Sequence, residues 1–579
     1  MRKLITLAFL ALAACSTSPQ AGTLAQDHSA SVPASWPFPL QVTPTVAPSA
    51  MVATDAPLAT QVGVQVMRDG GNAVDAAVAT AFALAVVYPE AGNIGGGGFM
   101  VTRMADGTSA ALDFREKAPL AASRDMYLDA AGELTDASVI GHLASGVPGA
   151  VMGLWEAHRR FGTKPWTDLL APAIALARDG FVVDSALAGS VRDAADRLTR
   201  FPGSAALVLP GGQPLQAGTR WSNPDLAAVL QRIADEGPAG FYAGATADLI
   251  VAEMERGGGI ISHEDLRRYR AEWRDPVEFE YRGRRFISMP PASSGGITLA
   301  IMANILDGYD VDEMGWHSAS ALHLTGEAMR RAFADRNHFL GDPAFVQFPR
   351  ELLVSQEYAD RLRATIDTDR ATPSLDVRPG LMEQPEPANT THFSIVDPAG
   401  NAVALTTTIN ELYGSAVTVS GAGFMLNDEM DDFAAKPGSP NMFGLVQGEA
   451  NAIQPEKRML SAMTPTIVLD TDGSVLLVTG ARGGPRIITA VFQVISNIID
   501  HDMDVGSAVH TPRIHHQHLP DVLYFEREGL TAQVIAELEE MGHVVEPRGG
   551  IGTAPTILRR DGVWTAVPDP RTGGLAAGF

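Results

Sequence analysis

The chain has 579 residues, of which 46% are hydrophobic and 19% are charged, so it is long and apolar enough to bury a large core. Its formal net charge of −24 at pH 7 argues against nucleic acids and anionic membrane surfaces as partners. Cys15 is the only cysteine, which excludes an internal disulfide and leaves the fold to be stabilised by its core.

The N-terminus is typical of an export signal. Arg2 and Lys3 precede an apolar run, residues 4–14. This run is shorter than the roughly 20 residues that a membrane-spanning helix needs. We therefore expect it to direct export rather than to span a membrane.

The four residues that end at Cys15 resemble a bacterial lipobox, in which the cysteine is lipidated and becomes the mature N-terminus. We therefore expect residues 1–14 to be a lipoprotein signal peptide, with ordinary cleavage near Ala13 as the alternative. Residues 15–49 are rich in Ser, Pro, Ala and Thr and predict a flexible tether. The protein is then periplasmic or anchored to the outer membrane, with the lipid as its sole membrane contact.

The first predicted helices are followed by a run of glycines. Residues 58–67 predict one helix, and Asn72 is placed to cap a second, apolar one that ends near Val87. Gly95–Gly98 then follows a helix and enters a strand, the reverse of the strand–loop–helix order of phosphate loops. We therefore predict close backbone packing here rather than nucleotide binding.

The middle of the chain contains few residues that indicate chemistry. Residues 111–119 continue a strand into a loop with Arg115, for which an ion pair with a neighbouring acid is the simplest role. A mainly helical pattern at 145–275 predicts scaffold, and strands are predicted at 277–289. Residues 365–389 are rich in Pro, Asp and Thr and predict an exposed linker.

A β-hairpin is predicted directly after that linker. Extended runs at 393–397 and 402–409 flank the turn residues 398–401. A threonine pair, 390–391, precedes the first strand, and three threonines end the second, so the hydroxyls converge at one edge. Threonines are common in strands, so this convergence alone does not identify a site.

A second hairpin, with strands 466–469 and 475–479, leads to Gly483 and Gly484 and to a predicted helix at 486–499. Glycines before a helix let backbone N–H groups approach a ligand closely, as an oxyanion hole requires. A plain strand-to-helix turn is the alternative.

Two further polar clusters have ordinary interpretations. The acidic run 428–432 is, by itself, typical of a solvated loop. The histidine-rich run 515–518 lacks a cysteine or an HExxH partner, and neighbouring histidines of a strand point to opposite sides. We therefore expect no metal site.

Several of these segments, in order along the chain, resemble the gamma-glutamyltranspeptidase family of N-terminal nucleophile hydrolases. The resemblance covers about residues 50–579 and is carried by these motifs: Asp113–Glu116, Asn389–Asn410, Asn427–Phe433, Lys457–Ser461 and Gly483–Gly484. It implies an α+β fold, a four-layer αββα sandwich, made from one self-cleaved precursor. The large segment is 50–389 and the small catalytic segment 390–579, and the two stay associated as a heterodimer without a cofactor.

The resemblance also implies roles for individual residues. Cleavage between Asn389 and Thr390 would free Thr390, whose hydroxyl is the nucleophile and whose α-amine is the base. The sequence alone leaves Thr391 open as the nucleophile. The other implied roles are assistance by Thr408, oxyanion donation by Gly483 and Gly484, ammonium binding by Asn410, Glu429 and Asp432, and carboxylate binding by Arg115 with Ser461.

The implied activity is that of a gamma-glutamyltranspeptidase and glutathione hydrolase. An acyl-enzyme formed from glutathione or another gamma-glutamyl compound is resolved by water or by an amino acid or peptide acceptor. Two positions depart from the family pattern: Ala462 replaces a second serine, and Phe443 stands where bacterial relatives often have tyrosine. A glutaryl-type cephalosporin acylase of the same fold and an inactive peptide-binding lipoprotein therefore remain alternatives.

Overall fold

The computed structural model describes residues 31–377 and 390–579. The predicted signal peptide, Cys15 and Asn389 lie outside the described residues. In chain order the strands are β1 (Thr45–Ala47), β2 (Met51–Thr54), β3 (Gly97–Arg103), β4 (Ser109–Asp113), β5 (Phe181–Val182), β6 (Arg220–Trp221), β7 (Glu272–Arg274), β8 (Val277–Tyr281), β9 (Arg284–Ser288), β10 (Thr391–Val396), β11 (Ala402–Thr408), β12 (Thr466–Leu469), β13 (Val475–Thr479), β14 (Ile514–His515), β15 (Leu523–Glu526), β16 (Val545–Arg548), β17 (Thr556–Arg560), β18 (Val563–Val567) and β19 (Leu575–Gly578).

The helices cover most of the segment between β4 and β7 and flank the later strands. They are α1 (Pro57–Arg68), α2 (Ala73–Val87), α3 (Ala150–Phe161), α4 (Trp166–Asp179), α5 (Ser185–Asp193), α6 (Ala195–Leu198), α7 (Pro202–Val208), α8 (Pro224–Glu236), α9 (Ala239–Tyr242), α10 (Gly244–Gly257), α11 (His263–Arg268), α12 (Gly295–Leu306), α13 (Ala319–Phe339), α14 (Arg350–Leu353), α15 (Gln356–Arg363), α16 (Arg486–Ile499), α17 (Val505–His510) and α18 (Ala532–Glu540). Within residues 31–377 and 390–579, none of the helices combines the length and the hydrophobicity that crossing a membrane requires.

Two seven-stranded antiparallel sheets form the centre of the fold. Sheet A has the order β19-β2-β10-β11-β3-β4-β7, and sheet B the order β1-β18-β17-β13-β12-β9-β8. β10 and β11 of sheet A pack on β13 of sheet B, while α1, α2 and α3 pack on sheet A and α12 and α17 on sheet B. This arrangement confirms the predicted four-layer αββα sandwich.

The start of α2 forms as its sequence predicts. The Asn72 side chain accepts hydrogen bonds from the backbone N–H groups of Val74 and Asp75, and Asp75 accepts one from the Asn72 N–H. This reciprocal arrangement is a capping box, which satisfies donors that the first helical turn leaves free. Every residue of α2 is buried, because the helix lies between sheet A and the helices outside it.

The glycine run lets the backbone of β3 lie close to its neighbours. A Cβ atom at Gly98 would collide with the carbonyl oxygen of Thr406 in β11, and one at Gly97 with that of Phe114. The run therefore serves close packing next to the hairpin, as predicted.

The antiparallel register of β10 and β11 places the threonines together. Thr391 pairs with Thr407 and Val396 with Ala402. Since side chains alternate between the two faces of a strand, the even-numbered residues of both strands share one face. Val396 and Ala402 on this face join the core between the sheets, whereas the odd-numbered side chains join the core beneath the helices. Thr390 and Thr408 therefore lie on the same face at the same end of the hairpin.

The predicted tether ends too late in the sequence. Residues 31–49 pack against the fold: the Trp36 Nε1 donates to the carbonyl oxygen of His510, the Ser507 hydroxyl donates to that of Leu40, and β1 pairs with β18. Burial of the Trp36 ring stabilises this docked position. The described part of the predicted tether, residues 31–49, is therefore docked on the fold.

Candidate active site

One pocket brings together residues from distant parts of the chain. Of the residues that the resemblance assigns to chemistry or substrate binding, all but Gly483 line it. The lining residues are Arg115, Arg336, Thr390, Thr408, Asn410, Glu429, Asp432, Phe443, Leu445, Leu460, Ser461, Ala462, Met463, Gly484, Pro485 and Ile487. The pocket therefore combines hydroxyls, an amide, two carboxyls and two guanidinium groups with an apolar wall.

The Thr390 hydroxyl donates a hydrogen bond of 3.4 Å to the hydroxyl of Thr408. The Thr408 hydroxyl also accepts a 2.7 Å hydrogen bond from the backbone N–H of Asn410. This second bond fixes the orientation of Thr408. The contact between the two threonines follows from the hairpin register.

Thr391 and His392 are engaged elsewhere. The Thr391 hydroxyl donates to Asp55 at 3.0 Å, on the opposite face of β10 from Thr390. The His392 ring lies within hydrogen-bonding distance of the Thr406 and Ser394 hydroxyls, and burial lowers its pKa to about 3. His392 is thus a neutral core residue, and Thr390 is the member of the threonine pair that faces the pocket.

The Arg115 guanidinium is surrounded by acids rather than exposed on a surface. Its Nη1 pairs with Glu429 and, at 3.5 Å, with Glu116, and its Nη2 pairs with Asp432. Its Nε donates to the carbonyl oxygen of Met459 at 3.3 Å. The proposed carboxylate-binding cation and two of the proposed ammonium-binding acids therefore pair with one another.

Burial dominates the protonation of these acids. It raises the pKa of Glu429 and Asp432, although Arg115 opposes the rise in both. It raises the pKa of Glu116 to about 8, again against the effect of Arg115. Burial by itself lowers the pKa of Arg115, but the surrounding acids raise it above its ordinary value. The arginine is therefore charged at neutral pH, and three acids, Glu116, Glu429 and Asp432, share its single positive charge.

Replacing Glu116 with glutamine is expected to change how stability depends on pH. The pKa of Glu116 is about 8 in the folded chain and 4.5 ordinarily, so the folded state of the wild type binds the proton more tightly. The resulting stability is fully present below pH 4.5 and is lost as pH rises towards 8. Glu116→Gln should therefore gain stability relative to wild type between pH 5 and pH 8. Thermal unfolding midpoints at both pH values test this, and an unchanged difference would contradict it.

The two glycines before α16 have backbone conformations that favour glycine. Gly483 has φ 128° and Gly484 φ 57°. Gly484 lines the pocket beside Thr390, and α16 begins directly after Pro485, as predicted. The turn before the N-terminus of α16 thus borders the same pocket as Thr390.

Ser461 and Ala462 form the side of the pocket where carboxylate binding is predicted. Ser461 is held by backbone bonds, because its N–H donates to the carbonyl oxygen of Ala292 and its own carbonyl oxygen accepts from Ser294. The Ala462 methyl group lines the pocket where a second hydroxyl was expected from the family pattern. Phe443, the other position that departs from the family pattern, also lines the pocket.

Two polar residues of this region were not identified from the sequence as part of a site. The sequence indicates that Glu116 is a neighbouring acid able to pair with Arg115 at the surface, yet Glu116 is buried against Arg115. Arg336 lies in the long helix α13 and lines the pocket. Its burial near Asp432 could not be foreseen, because the two residues are far apart in the sequence. The only available signal was the occurrence of three arginines, at 330, 331 and 336, within seven positions of one helix.

The histidines near the C-terminus have partners in the fold. The His515 ring contacts the Thr489 hydroxyl and the Gln517 side chain, both at 2.9 Å, and the His518 ring contacts the carbonyl oxygen of Ser374. Elsewhere His323, Glu327 and His543 hold possible ligand atoms within 4.8 Å of one another. Arg330 and Arg331 both pair with Glu327 there, which disfavours a cation.

Comparisons with known proteins agree with this geometry. The model of the family described as gamma-glutamyltranspeptidase matches residues 59–579. The glutathione hydrolase proenzyme of Escherichia coli (strain K12) is 45% identical, over 93% of each chain. The acylase ACY 1 proenzyme of Pseudomonas sp. (strain V22) is 39% identical, over 94% of this chain and 98% of the relative. A cephalosporin acylase structure from Bacillus halodurans aligns with a TM-score of 0.83 at 28% identity, covering 94% of this chain and 99% of the other. The resemblance is thus confirmed, and the chain belongs to the gamma-glutamyltranspeptidase family.

Proposed function

We propose that this chain is a glutathione hydrolase and gamma-glutamyltranspeptidase that activates itself by cleavage between Asn389 and Thr390. The observation that carries the proposal is the pocket itself. It combines the hydrogen-bonded Thr390 and Thr408 hydroxyls with Arg115 and the two acids of the pocket that pair with it, Glu429 and Asp432. The proenzyme names of its relatives support self-processing.

Cleavage gives Thr390 both of the groups that it needs. Its hydroxyl attacks the carbonyl carbon of Asn389, the peptide C–N bond breaks to free the α-amine as an ester forms, and water then hydrolyses that ester to release the hydroxyl and a carboxylate on Asn389. That amine, with an ordinary pKa of about 7.7–8.0, then takes the hydroxyl proton when the oxygen attacks a gamma-amide. The C–N bond breaks, the leaving amine takes the proton, and the acyl group remains on Thr390. Thr408 orients the hydroxyl, and the N–H groups of Gly483 and Gly484 stabilise the oxyanion.

The gamma-glutamyl group enters as a zwitterion. Asn410, Glu429 and Asp432 accept its α-ammonium, and Arg115 with Ser461 binds its α-carboxylate. Because Arg115 already pairs with Glu429 and Asp432, substrate binding exchanges buried ion pairs for others of the same kind. Charges that are already buried and paired need no further desolvation when the ligand arrives. Water or an amino acid or peptide amine then takes the acyl group from Thr390.

The experiment that tests this function uses the chain expressed without its first fifteen residues. Its intact mass under denaturing conditions should show two fragments, 16–389 and 390–579, that copurify as a heterodimer under native conditions. The cleaved protein should release p-nitroaniline from gamma-glutamyl-p-nitroanilide and cleave glutathione. An uncut chain without turnover would instead favour an inactive peptide-binding lipoprotein.

An acylase for glutaryl side chains is the second candidate, and Ala462 is the observation that favours it. Glutaryl and gamma-glutamyl groups share the carboxylate, but the glutaryl group lacks the ammonium. The name of one relative, the acylase ACY 1 proenzyme, also supports this candidate. Turnover of gamma-glutamyl and glutaryl anilides by the same preparation separates the two, and we expect the gamma-glutamyl anilide to be preferred.

Replacing Ala462 with serine is expected to tighten gamma-glutamyl binding. The methyl group lines the pocket, so a hydroxyl at this position can donate to the substrate carboxylate. A hydrogen bond to a charged group contributes about 1.5–3 kcal/mol, which corresponds to a KM lower by about tenfold or more. Michaelis–Menten kinetics with gamma-glutamyl-p-nitroanilide test this. Ala462→Val, which adds bulk without a donor, is the control and should raise KM.

The proposed location of the protein follows from its N-terminal sequence. Export by the signal peptide 1–14, with lipidation of Cys15, would place the enzyme in the periplasm or at the outer membrane. Metabolic labelling with a radioactive fatty acid tests the lipid, and Cys15→Ser should remove the label.

A further inference from the structure

We propose that Arg336 is a specificity-determining residue that binds the α-carboxylate of the substrate together with Ser461. The inference rests on the proposed function, since it assumes a gamma-glutamyl or glutaryl group in the pocket. It adds a second cation to a subsite for which the sequence indicated only Arg115.

The first observation is the hydrogen bonding of the Arg336 guanidinium. Its Nε donates to the Ser294 hydroxyl and its Nη1 to the side chain of Asn337, both at 2.9 Å. Its Nη2 is buried and makes no hydrogen bond with any residue of 31–377 or 390–579. Leaving a buried charged donor unsatisfied is costly, so a partner that arrives with the substrate gains the full value of that bond. Because Arg336 lines the pocket, the pocket is where such a partner can arrive.

The second observation links Arg336 to Ser461. The Ser294 hydroxyl, which accepts from Arg336, donates to the carbonyl oxygen of Ser461 at 2.5 Å. The Ser294 N–H donates to the same oxygen at 2.8 Å. The guanidinium and the proposed carboxylate-binding serine are thus joined through one residue, and both line the pocket together with Ala462.

The third observation is that Arg115 shares its charge among several acids, so a substrate carboxylate gains from a second cation. Each of its nitrogens already pairs with an acid or donates to a carbonyl oxygen. The Asp432 charge also acts on Arg336, raising its pKa, whereas burial lowers that pKa to about 10. Arg336 is therefore still a cation at neutral pH. A carboxylate that reaches Ser461 can thus pair with Arg336 as well as with Arg115.

The test uses the cleaved enzyme and three p-nitroanilides that differ only in the charges of the acyl group. The gamma-glutamyl anilide has both carboxylate and ammonium, the glutaryl anilide has the carboxylate alone, and the 4-aminobutyryl anilide has the ammonium alone. Arg336→Met should raise KM for the first two about 10- to 100-fold and change the third less than about threefold. Arg336→Lys should recover part of the loss. Arg331→Met, which removes another buried arginine of α13 outside the pocket, is the matched control.

The same data can overturn the proposal. A loss confined to the two substrates that carry the ammonium would mean that Arg336 acts only through Asp432. An equal loss on all three, matched by Arg331→Met, would mean a purely structural role. Absence of turnover in the wild type would contradict the proposed function instead.

If the Arg336→Met variant does not fold, a crystal structure of the wild-type enzyme tests the proposal directly. A crystal structure of the wild-type, cleaved enzyme with L-glutamate should place the Arg336 Nη2 about 3 Å from a carboxylate oxygen. A carboxylate bound to Arg115 and Ser461 but more than about 4.5 Å from Nη2 would overturn the inference.

Discussion

Replacing Thr390 with alanine is expected to leave the chain uncut and without acyl-transfer activity. The change removes the hydroxyl that would attack the Asn389 carbonyl, so no ester forms and no new α-amine is released. Without that amine and hydroxyl, turnover of gamma-glutamyl-p-nitroanilide should fall at least about a thousandfold. Intact mass under denaturing conditions measures the cleavage, and release of p-nitroaniline measures the turnover.

Two further variants keep this result interpretable. Thr390→Ser retains a hydroxyl at the same position and should still be cleaved and active. Thr391→Val removes the neighbouring hydroxyl, which donates to Asp55 on the other face of β10, and should lose stability without losing cleavage. Cleavage between residues 389 and 390 in Thr390→Ala, or its absence in Thr391→Val alone, would contradict the assignment of the nucleophile.

The contact between Thr390 and Thr408 was accessible from the sequence because it is local. A turn flanked by two extended runs predicts the hairpin, and the two-residue period of strands then decides which hydroxyls share a face. The threonine pair could not be resolved in this way, because the pattern gave the register only approximately. The structure resolves the pair, since Thr391 turns to Asp55 and Thr390 to the pocket.

Only some of the charged residues of the site could be predicted from the sequence. Arg115 and the acidic run 428–432 each have an ordinary surface interpretation, and only the family resemblance joined them. Neither resemblance nor pattern gave a role at the site to Glu116 or Arg336, which come from a loop after β4 and from α13. Contacts between residues so distant in sequence depend on how the two sheets and their helices pack, which local patterns do not specify.

The tether was predicted too long for a related reason. A composition rich in Ser, Pro, Ala and Thr describes an average over residues 15–49, whereas docking depends on single anchors. Trp36 is such an anchor, since its ring packs on the core and its Nε1 donates to His510. The aromatic pair Trp36 and Phe38, within a segment rich in Ser, Pro, Ala and Thr, was the signal that could have indicated the boundary.

Replacing Arg115 with methionine is expected to weaken both the fold and substrate binding. Glu116, Glu429 and Asp432 would lose the one cation that pairs with all three. Removing one partner of a buried ion pair costs about 3–5 kcal/mol, because the other charge stays buried without compensation. The substrate carboxylate would also lose a partner, so kcat/KM for gamma-glutamyl-p-nitroanilide should fall about a hundredfold or more.

The loss of stability should depend on pH in a defined direction. Burial already raises the pKa of Glu116, Glu429 and Asp432, and removing the arginine, which opposes that rise, raises it further. Protonated carboxyls need no cation, and Glu116 has a pKa of about 8 in the wild type, so the deficit of Arg115→Met should be small near pH 5 and grow as pH rises from about 7 to 9. Unfolding midpoints across this range measure it.

A double variant separates stability from binding. Glu116→Gln removes one of the buried charges, so Arg115→Met/Glu116→Gln should regain part of the stability at pH 8. It should not regain kcat/KM, because the substrate carboxylate still lacks Arg115. Arg115→Lys keeps a charge but cannot reach several carboxylates at once, and it should be intermediate in stability. If Arg115→Met were as stable as wild type at pH 8 with an unchanged KM, the cluster would not act as one charged unit. In that case Arg336 and Ser461 would have to bind the carboxylate without Arg115.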